Sequence, residues 1–140
     1  MVSQLEAEGC DVVATSRPAS VPGRSGRVFM PLDQAGIEPD LLLLLLGTDV
    51  VGHLTSGSTP GVSSDNPLAN FLINTIGTVR LFDVCAKAGG ARIMFASSGG
   101  QGYGELDCDQ ISESDTNNSN LAYGLGKLSC EKYLALFSNL

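Results

Sequence analysis

Three side chains in the second half of the sequence could together remove a proton from an alcohol. Tyr123 and Lys127 stand four positions apart, so on a helix they share one face a single turn apart. An ammonium at that distance favours the ionised form of a phenol, which ordinarily has a pKa of about 10 and is protonated at neutral pH. Ser98 follows an apolar run and could donate a hydrogen bond to the same alcohol oxygen. The pattern indicates a site that takes a proton from an alcohol while its hydride goes elsewhere.

Alternating strand-like and helix-like segments must position these side chains. Short apolar or β-branched runs predict strands, and longer apolar segments that end at glycine or begin after Asn66 predict helices. The alternation implies right-handed βαβ crossovers and a parallel sheet covered on both faces, in one domain over residues 1–140. The predicted strands are 11–16, 27 to about 33, 49–56 and 91–98, the helices are 3–8, 37–46, 66–88 and 120–140, and 18–26, 57–65 and 99–104 are loops or corners.

The composition argues against several other classes of protein. The chain has 140 residues and is 43% hydrophobic, enough for one buried core, and its net charge of -7 disfavours a nucleic-acid partner. The longest apolar run, 41–46, is far shorter than the about 20 residues that cross a bilayer, and the first ten residues lack a basic secretory start. Four widely spaced cysteines and one histidine support neither a zinc site nor a disulfide framework. We expect a cytoplasmic protein without a membrane partner.

With these motifs the chain resembles the NAD-dependent epimerase/dehydratase family, the extended short-chain dehydrogenases that act on nucleotide sugars. The resemblance covers nearly all 140 residues and implies an α/β fold with a Rossmann-like, doubly wound parallel sheet. The matching segments are 49–54, like the family's fourth strand, 74–78, like its N-x-x-G-T, 95–104, like its S-S-x-x-x-Y-G, Glu113, and Tyr123 with Lys127.

The resemblance also implies roles for individual residues. Ser98, Tyr123 and Lys127 would form the catalytic triad, with Lys127 also holding the nicotinamide ribose. Asn74 matches the family's helix asparagine near the cofactor, although a buried amide that satisfies backbone groups is an equal interpretation. His53 is expected to pack on the sheet rather than to titrate in catalysis. The residues that would line the cofactor are Leu54, Thr55 and Ser56, with Asp33 near the adenine.

The end of the first predicted strand leaves the choice of cofactor open. NAD enzymes often carry an acidic residue there to hold the ribose hydroxyls, whereas this chain has Arg17, which could hold the 2′-phosphate of NADP or be a solvated loop residue. NAD is the expected cofactor, and NADP is an alternative.

Two further departures from the family pattern concern the Ser98 corner and the start of the chain. The corner is one residue longer than in the best-known 4-epimerases, so either Ser97 or Ser98 could face the site, and we favour Ser98. No glycine-rich phosphate loop precedes residues 11–16, where the fold would place it. We therefore expect an internal fragment that lacks the central first strand, its phosphate loop and the C-terminal substrate region. Such a fragment would either have a gap in its sheet or pair the strands on either side of the gap.

The implied activity is transient oxidation of a sugar hydroxyl in a nucleotide-sugar substrate. Ser-Gly-Gly stands at 98–100, where 4,6-dehydratases usually carry Thr-Asp-Glu, which favours an epimerase or a simple reductase. The alternative is a truncated or non-catalytic relative that binds cofactor weakly or not at all. Family members often form homodimers through a four-helix bundle, which here would use helices 66–88 and 120–138.

Overall fold

The computed structural model describes residues 1–16, 27–29, 36–58, 60–103, 110–115 and 117–139. The chain comprises two compact units, Met1–Pro31 and Leu32–Leu140. The predictions for Arg17 and Asp33 lie outside the described residues, and the prediction of a single domain stays a prediction.

The first unit contains one short helix and two short strands. Helix α1 spans Val2–Ala7, and the chain then turns at Gly9, whose φ of 87° is in the left-handed region that glycine favours. Strands β1, Ala14–Ser16, and β2, Arg27–Phe29, pair in parallel. Both predicted strands are therefore present within the described residues.

The second unit is built on a parallel pair of strands. Strand β3, Val50–His53, pairs with β4, Arg92–Phe95, so that His53 lies opposite Phe95. The described strands thus form two separate parallel pairs, β1 with β2 and β3 with β4. The predicted parallel strand direction is confirmed in both pairs.

Helix α2, Glu38–Leu45, packs against the long helix Pro67–Lys87. Asn66 caps the long helix by accepting a hydrogen bond from the Ala69 amide at 3.0 Å, as the sequence predicts. The long helix has three parts: α4, Pro67–Asn70, a π-helical segment, Phe71–Ile76, and α5, Gly77–Lys87. The sequence predicts one continuous α-helix here, and the π segment is a departure from it.

Two short helices occupy segments predicted as loops. Helix α3 spans Pro60–Asp65 and α6 spans Gly99–Gly102, so the loop prediction was wrong for most of 57–65 and for the glycine-rich corner. The last helix, α7, spans Ala122–Phe137 and packs against α3, α5, α6 and the π segment.

The core of the second unit lies between its helices and the strand pair. The Phe82 ring packs edge-on to the Phe95 ring, with centroids 5.9 Å apart. Within the described residues, only Pro67–Lys87 is long and apolar enough to cross a membrane, and it packs in part against α2 and α7. The buried apolar residues are Ile37, Leu41, Leu45, Leu81, Phe82, Val84, Cys85 and Cys130.

Candidate active site

A cleft opens where the first turns of α7 face the long helix and the loop after β3. The empty space of the cleft, including its open mouth, is about 230 Å³. Its lining residues are Thr55, Asn74, Thr78, Tyr123, Gly126, Lys127 and Cys130.

The structure places the predicted Tyr–Lys pair together in this cleft. Tyr123 and Lys127 are one helical turn apart on α7, and the Lys127 Nζ lies 5.8 Å from the centroid of the Tyr123 ring. The Lys127 side chain is 8% exposed. Its Nζ donates to the Ala96 carbonyl at 2.7 Å and lies 4.7 Å from the centroid of the Phe95 ring. The end of β4 therefore holds a buried ammonium beside the phenol.

The two candidate serines, Ser97 and Ser98, differ in their hydrogen bonds. The Ser97 hydroxyl donates to Glu131 Oε1 on α7. Ser98 is half-buried at the residue before α6, and its hydroxyl makes no hydrogen bond within the described part of the chain. Ser97 is therefore engaged with α7, whereas Ser98 is not among the residues that line the cleft, and its choice over Ser97 stays a prediction.

Asn74 joins the long helix to the loop after β3. Its Oδ1 accepts from the Gly57 amide and, at 3.4 Å, from the Ser56 hydroxyl, while its Nδ2 donates to Ser58 Oγ at 2.8 Å. The Asn74 amide therefore satisfies a backbone group and also lines the cleft. Its position is compatible with both interpretations given in the sequence analysis.

The other residues predicted to line the cofactor differ in position. Thr55 lines the cleft. Leu54, the residue after β3, is 51% exposed. Ser56 is exposed, and its hydroxyl is within hydrogen-bonding distance of Asn74 Oδ1. Glu113 is exposed. Four of the predicted residues, Thr55, Asn74, Tyr123 and Lys127, thus meet in one cleft.

Asn70 is a polar residue near the site that the sequence analysis missed. It is 4% exposed, and its amide bonds to Ser58, to Asn74 and to the Ala122 carbonyl on α7. A signal was present in the sequence, because the polar residues Asn70, Asn74 and Thr78 recur every four positions in the helix, which is the spacing of one helix face.

His53 packs on the strand pair, as predicted, and is buried at 6% exposure. Its ring stacks on the Phe95 ring, and its Nε2 lies 2.9 Å from Thr78 Oγ1. The Thr78 hydroxyl donates its proton to the Asn74 carbonyl, so His53 must donate through Nε2–H. Burial, and secondarily the Lys127 charge, lower the pKa of His53 from 6.5 to about 4. His53 is therefore a neutral hydrogen-bond donor at physiological pH.

The lowered pKa of His53 predicts a loss of stability in mild acid. Between pH 6.5 and about 4 the unfolded chain binds a proton on His53 that the folded chain does not. The free energy of unfolding should therefore fall as the pH falls through that window, by about 3 kcal/mol from this residue. Urea unfolding at pH 7.0 and pH 4.5 measures the change.

His53→Gln is the matched control for this titration. The glutamine amide can still donate to Thr78 but does not titrate. The variant should lose less stability than the unmodified protein between the two pH values. An equal loss in both proteins would contradict the assignment of a buried neutral His53.

Comparison with known proteins tests the family resemblance. A sequence profile of the NAD-dependent epimerase/dehydratase family matches residues 1–139. The chain belongs to this family. A curated member, the UDP-glucose 4-epimerase of Mycolicibacterium smegmatis, is 33% identical over 106 residues, which are 74% of this chain and 34% of the relative. The chain thus spans about a third of the length of this curated relative.

Solved structures of family members share the fold. The UDP-glucose 4-epimerase of Thermus thermophilus in complex with NAD superposes with a TM-score of 0.85 at 23% identity, over 99% of this chain and 46% of that chain. MoeE5 in complex with UDP-glucose and NAD gives a TM-score of 0.83 at 29% identity, over 99% and 44% respectively. The predicted Rossmann-like α/β fold is confirmed, and the chain corresponds to less than half of either protein.

Proposed function

We propose that this chain is the catalytic core segment of a nucleotide-sugar epimerase that works by transient oxidation of a sugar hydroxyl. One observation carries the proposal: the buried Lys127 ammonium is held beside the Tyr123 phenol at the floor of a cleft. Membership of an NAD-dependent family and similarity to UDP-glucose 4-epimerases support it. A nucleotide sugar such as UDP-glucose is the proposed class of substrate.

The side chains around the cleft fit a nicotinamide-ribose group. Lys127 uses one of its three N–H donors on Ala96 within the described residues, so the others can bind ribose hydroxyls. Thr55 and Asn74 line the same cleft. We propose NAD as the cofactor, with NADP as the alternative that Arg17 leaves open.

The proposed chemistry assigns one task to each catalytic side chain. The Tyr123 phenolate accepts the proton of the sugar hydroxyl, because the Lys127 ammonium stabilises its negative charge. The Ser98 hydroxyl donates a hydrogen bond to the same oxygen and holds it against Tyr123. When bound, NAD would supply the acceptor for the hydride of the carbinol carbon, and return of that hydride to the opposite face would give the epimer. Tyr123 then gives the proton back.

The corner after Ser98 favours epimerisation over dehydration. Elimination of water needs an acid and a base near the sugar, whereas α6 contains three glycines and Gln101. A glutamine amide neither gains nor loses a proton at neutral pH. We therefore propose a 4-epimerase rather than a 4,6-dehydratase.

We further propose a cytoplasmic homodimer. Apolar side chains remain exposed on the two helices that the family resemblance assigns to a four-helix bundle, and pairing of two copies would bury them. Cys10, Cys85 and Cys130 are free thiols, which suits a reducing compartment. The exposed apolar residues are Leu68, Phe71, Leu72 and Ile76 on the long helix, Leu121 just before α7, and Leu125, Tyr133 and Leu136 on α7.

Exchange of the two serines tests the proposed chemistry. Ser98→Ala in the complete gene product should lower kcat for UDP-glucose epimerisation by about 10²-fold, because one hydrogen bond to the reacting oxygen is lost. Ser97→Ala removes a hydrogen bond to Glu131 and should lower kcat by less than about tenfold. Steady-state assays of both variants measure the difference. A larger loss for Ser97→Ala would overturn the assignment of Ser98.

A further inference from the structure

We infer that Asn70 is a positioning residue that connects the loop 56–58 to the backbone of Tyr123. The inference rests on the proposed function, since it assigns the loop to the cofactor side of the cleft and Tyr123 to the chemistry. Asn70 itself lies outside the lining of the cleft and acts through other groups.

The Asn70 side chain makes hydrogen bonds in two directions. Its Oδ1 accepts from the Ser58 hydroxyl at 2.7 Å and from Asn74 Nδ2 at 2.8 Å. Its Nδ2 donates to the Ala122 carbonyl at 3.0 Å. The oxygen is thus committed to the loop and to Asn74, and the nitrogen is committed to α7.

The bond to Ala122 acts directly on Tyr123. The Ala122 carbonyl and the Tyr123 nitrogen belong to one planar peptide group, so a hydrogen bond that fixes the carbonyl also fixes the plane from which Tyr123 extends. Leu121 precedes α7 without a side-chain cap, and the bond from Asn70 reaches a carbonyl of the first turn rather than its free amides.

On the side away from α7, the hydrogen bonds of Asn70 and Asn74 fix the loop 56–58. Asn70 Oδ1 and Asn74 Nδ2 both bond to Ser58, and Asn74 Oδ1 accepts from the Gly57 amide. A shift of this loop therefore changes the bonds of Asn70 Oδ1, and because the amide is rigid it also changes the bond of Nδ2 to Ala122. Asn70 thereby couples the position of the loop to the position of the phenol.

Close packing supports a tightly held amide at this position. An added Cβ on Gly126 would lie 3.5 Å from Asn70 Nδ2 and 2.9 Å from Thr75 Oγ1. Gly126 therefore lets α7 approach the long helix closely enough for the bond from Asn70 to Ala122 to form.

Two substitutions separate the hydrogen bond of Asn70 to α7 from the hydrogen bonds on the side of the loop 56–58. Asn70→Asp keeps an acceptor for Ser58 and Asn74 but cannot donate to the Ala122 carbonyl when ionised. Ser58→Ala removes a bond on the loop side and leaves the donor to Ala122 intact. Asn66→Ala is the control, because it removes the cap of the same helix and lowers stability without touching either side.

The first measurement is amide hydrogen exchange in the complete gene product without cofactor or substrate. Asn70→Asp should speed exchange of the Leu125 and Gly126 amides, which close the first turn of α7, by about tenfold beyond the change elsewhere in the long helix. Ser58→Ala should leave these amides as in the unmodified protein. Equal exchange in Asn70→Asp and the unmodified protein, or the same local increase in Asn66→Ala, would overturn the inference.

The second measurement separates kcat from cofactor affinity. Asn70→Asp should lower kcat by about tenfold with little change in the Kd for NAD, whereas Ser58→Ala should raise the Kd with little change in kcat. A purely structural role predicts parallel changes in both variants and in Asn66→Ala, and that result would contradict the inference. If the proposed function fails instead, Tyr123 substitutions will leave activity intact while the exchange result still stands.

Discussion

Tyr123→Phe should reduce kcat for epimerisation by about 10³-fold while leaving the affinity for NAD nearly unchanged. The substitution removes only the hydroxyl that exchanges a proton with the sugar, and general acid–base catalysis contributes a factor of about 10²–10⁴. The ring keeps its place beside Lys127, whose Nζ lies 5.8 Å from the ring centroid. The measurement is a steady-state assay with UDP-glucose, paired with calorimetric titration of NAD, on the complete gene product.

Tyr133→Phe is the matched control for this experiment. Tyr133 lies on the same helix but is 45% exposed and outside the cleft. The Tyr133→Phe variant should retain full activity. Activity close to that of the unmodified protein in Tyr123→Phe would exclude Tyr123 as the proton acceptor and with it the proposed reaction.

Gly124→Ala should destabilise the fold by about 2 kcal/mol, although alanine normally favours a helix over glycine by about 1 kcal/mol. An added Cβ at Gly124 would lie 2.2 Å from the Gln101 carbonyl oxygen and 2.2 Å from the Ser119 hydroxyl. A backbone atom cannot move away as a flexible side chain can, so α6 and α7 must separate. Urea unfolding at pH 7 measures the loss.

Gly100→Ala is the corresponding control, since it lies in α6 and an added Cβ meets no atom within 4 Å. It should leave stability within about 0.5 kcal/mol of the unmodified protein. If Gly124→Ala proves equally stable, then α6 and α7 do not pack as closely as described.

Local sequence rules predict the strands and the helix that carry the proposed chemistry. A helix places residues four apart on one face whatever surrounds it, so the spacing of Tyr123 and Lys127 was sufficient to predict their proximity. The role of Asn66 as a cap follows from its short side chain next to a proline at the first helical position. These features depend on neighbours in sequence.

Features that depend on tertiary contacts were not predictable in this way. Ser97 and Ser98 are adjacent in sequence, and only the contact with Glu131, 34 residues further along the chain, distinguishes them. The loop prediction for 57–65 followed from glycine, serine and proline content, yet packing against α7 stabilises α3 there. The π segment next to Asn70 carries no composition signal of its own.

The ring of Phe95 contributes both to the protein interior and to the surroundings of the Lys127 side chain. One neighbour is the edge-on ring of Phe82, which is fully buried, and another is the Lys127 ammonium 4.7 Å from its centroid. Any change that repacks Phe82 therefore moves the surface on which the positive charge rests. A substitution chosen at Phe82 to raise thermal tolerance would consequently also displace Lys127, so the interior and the cleft do not vary independently at this point.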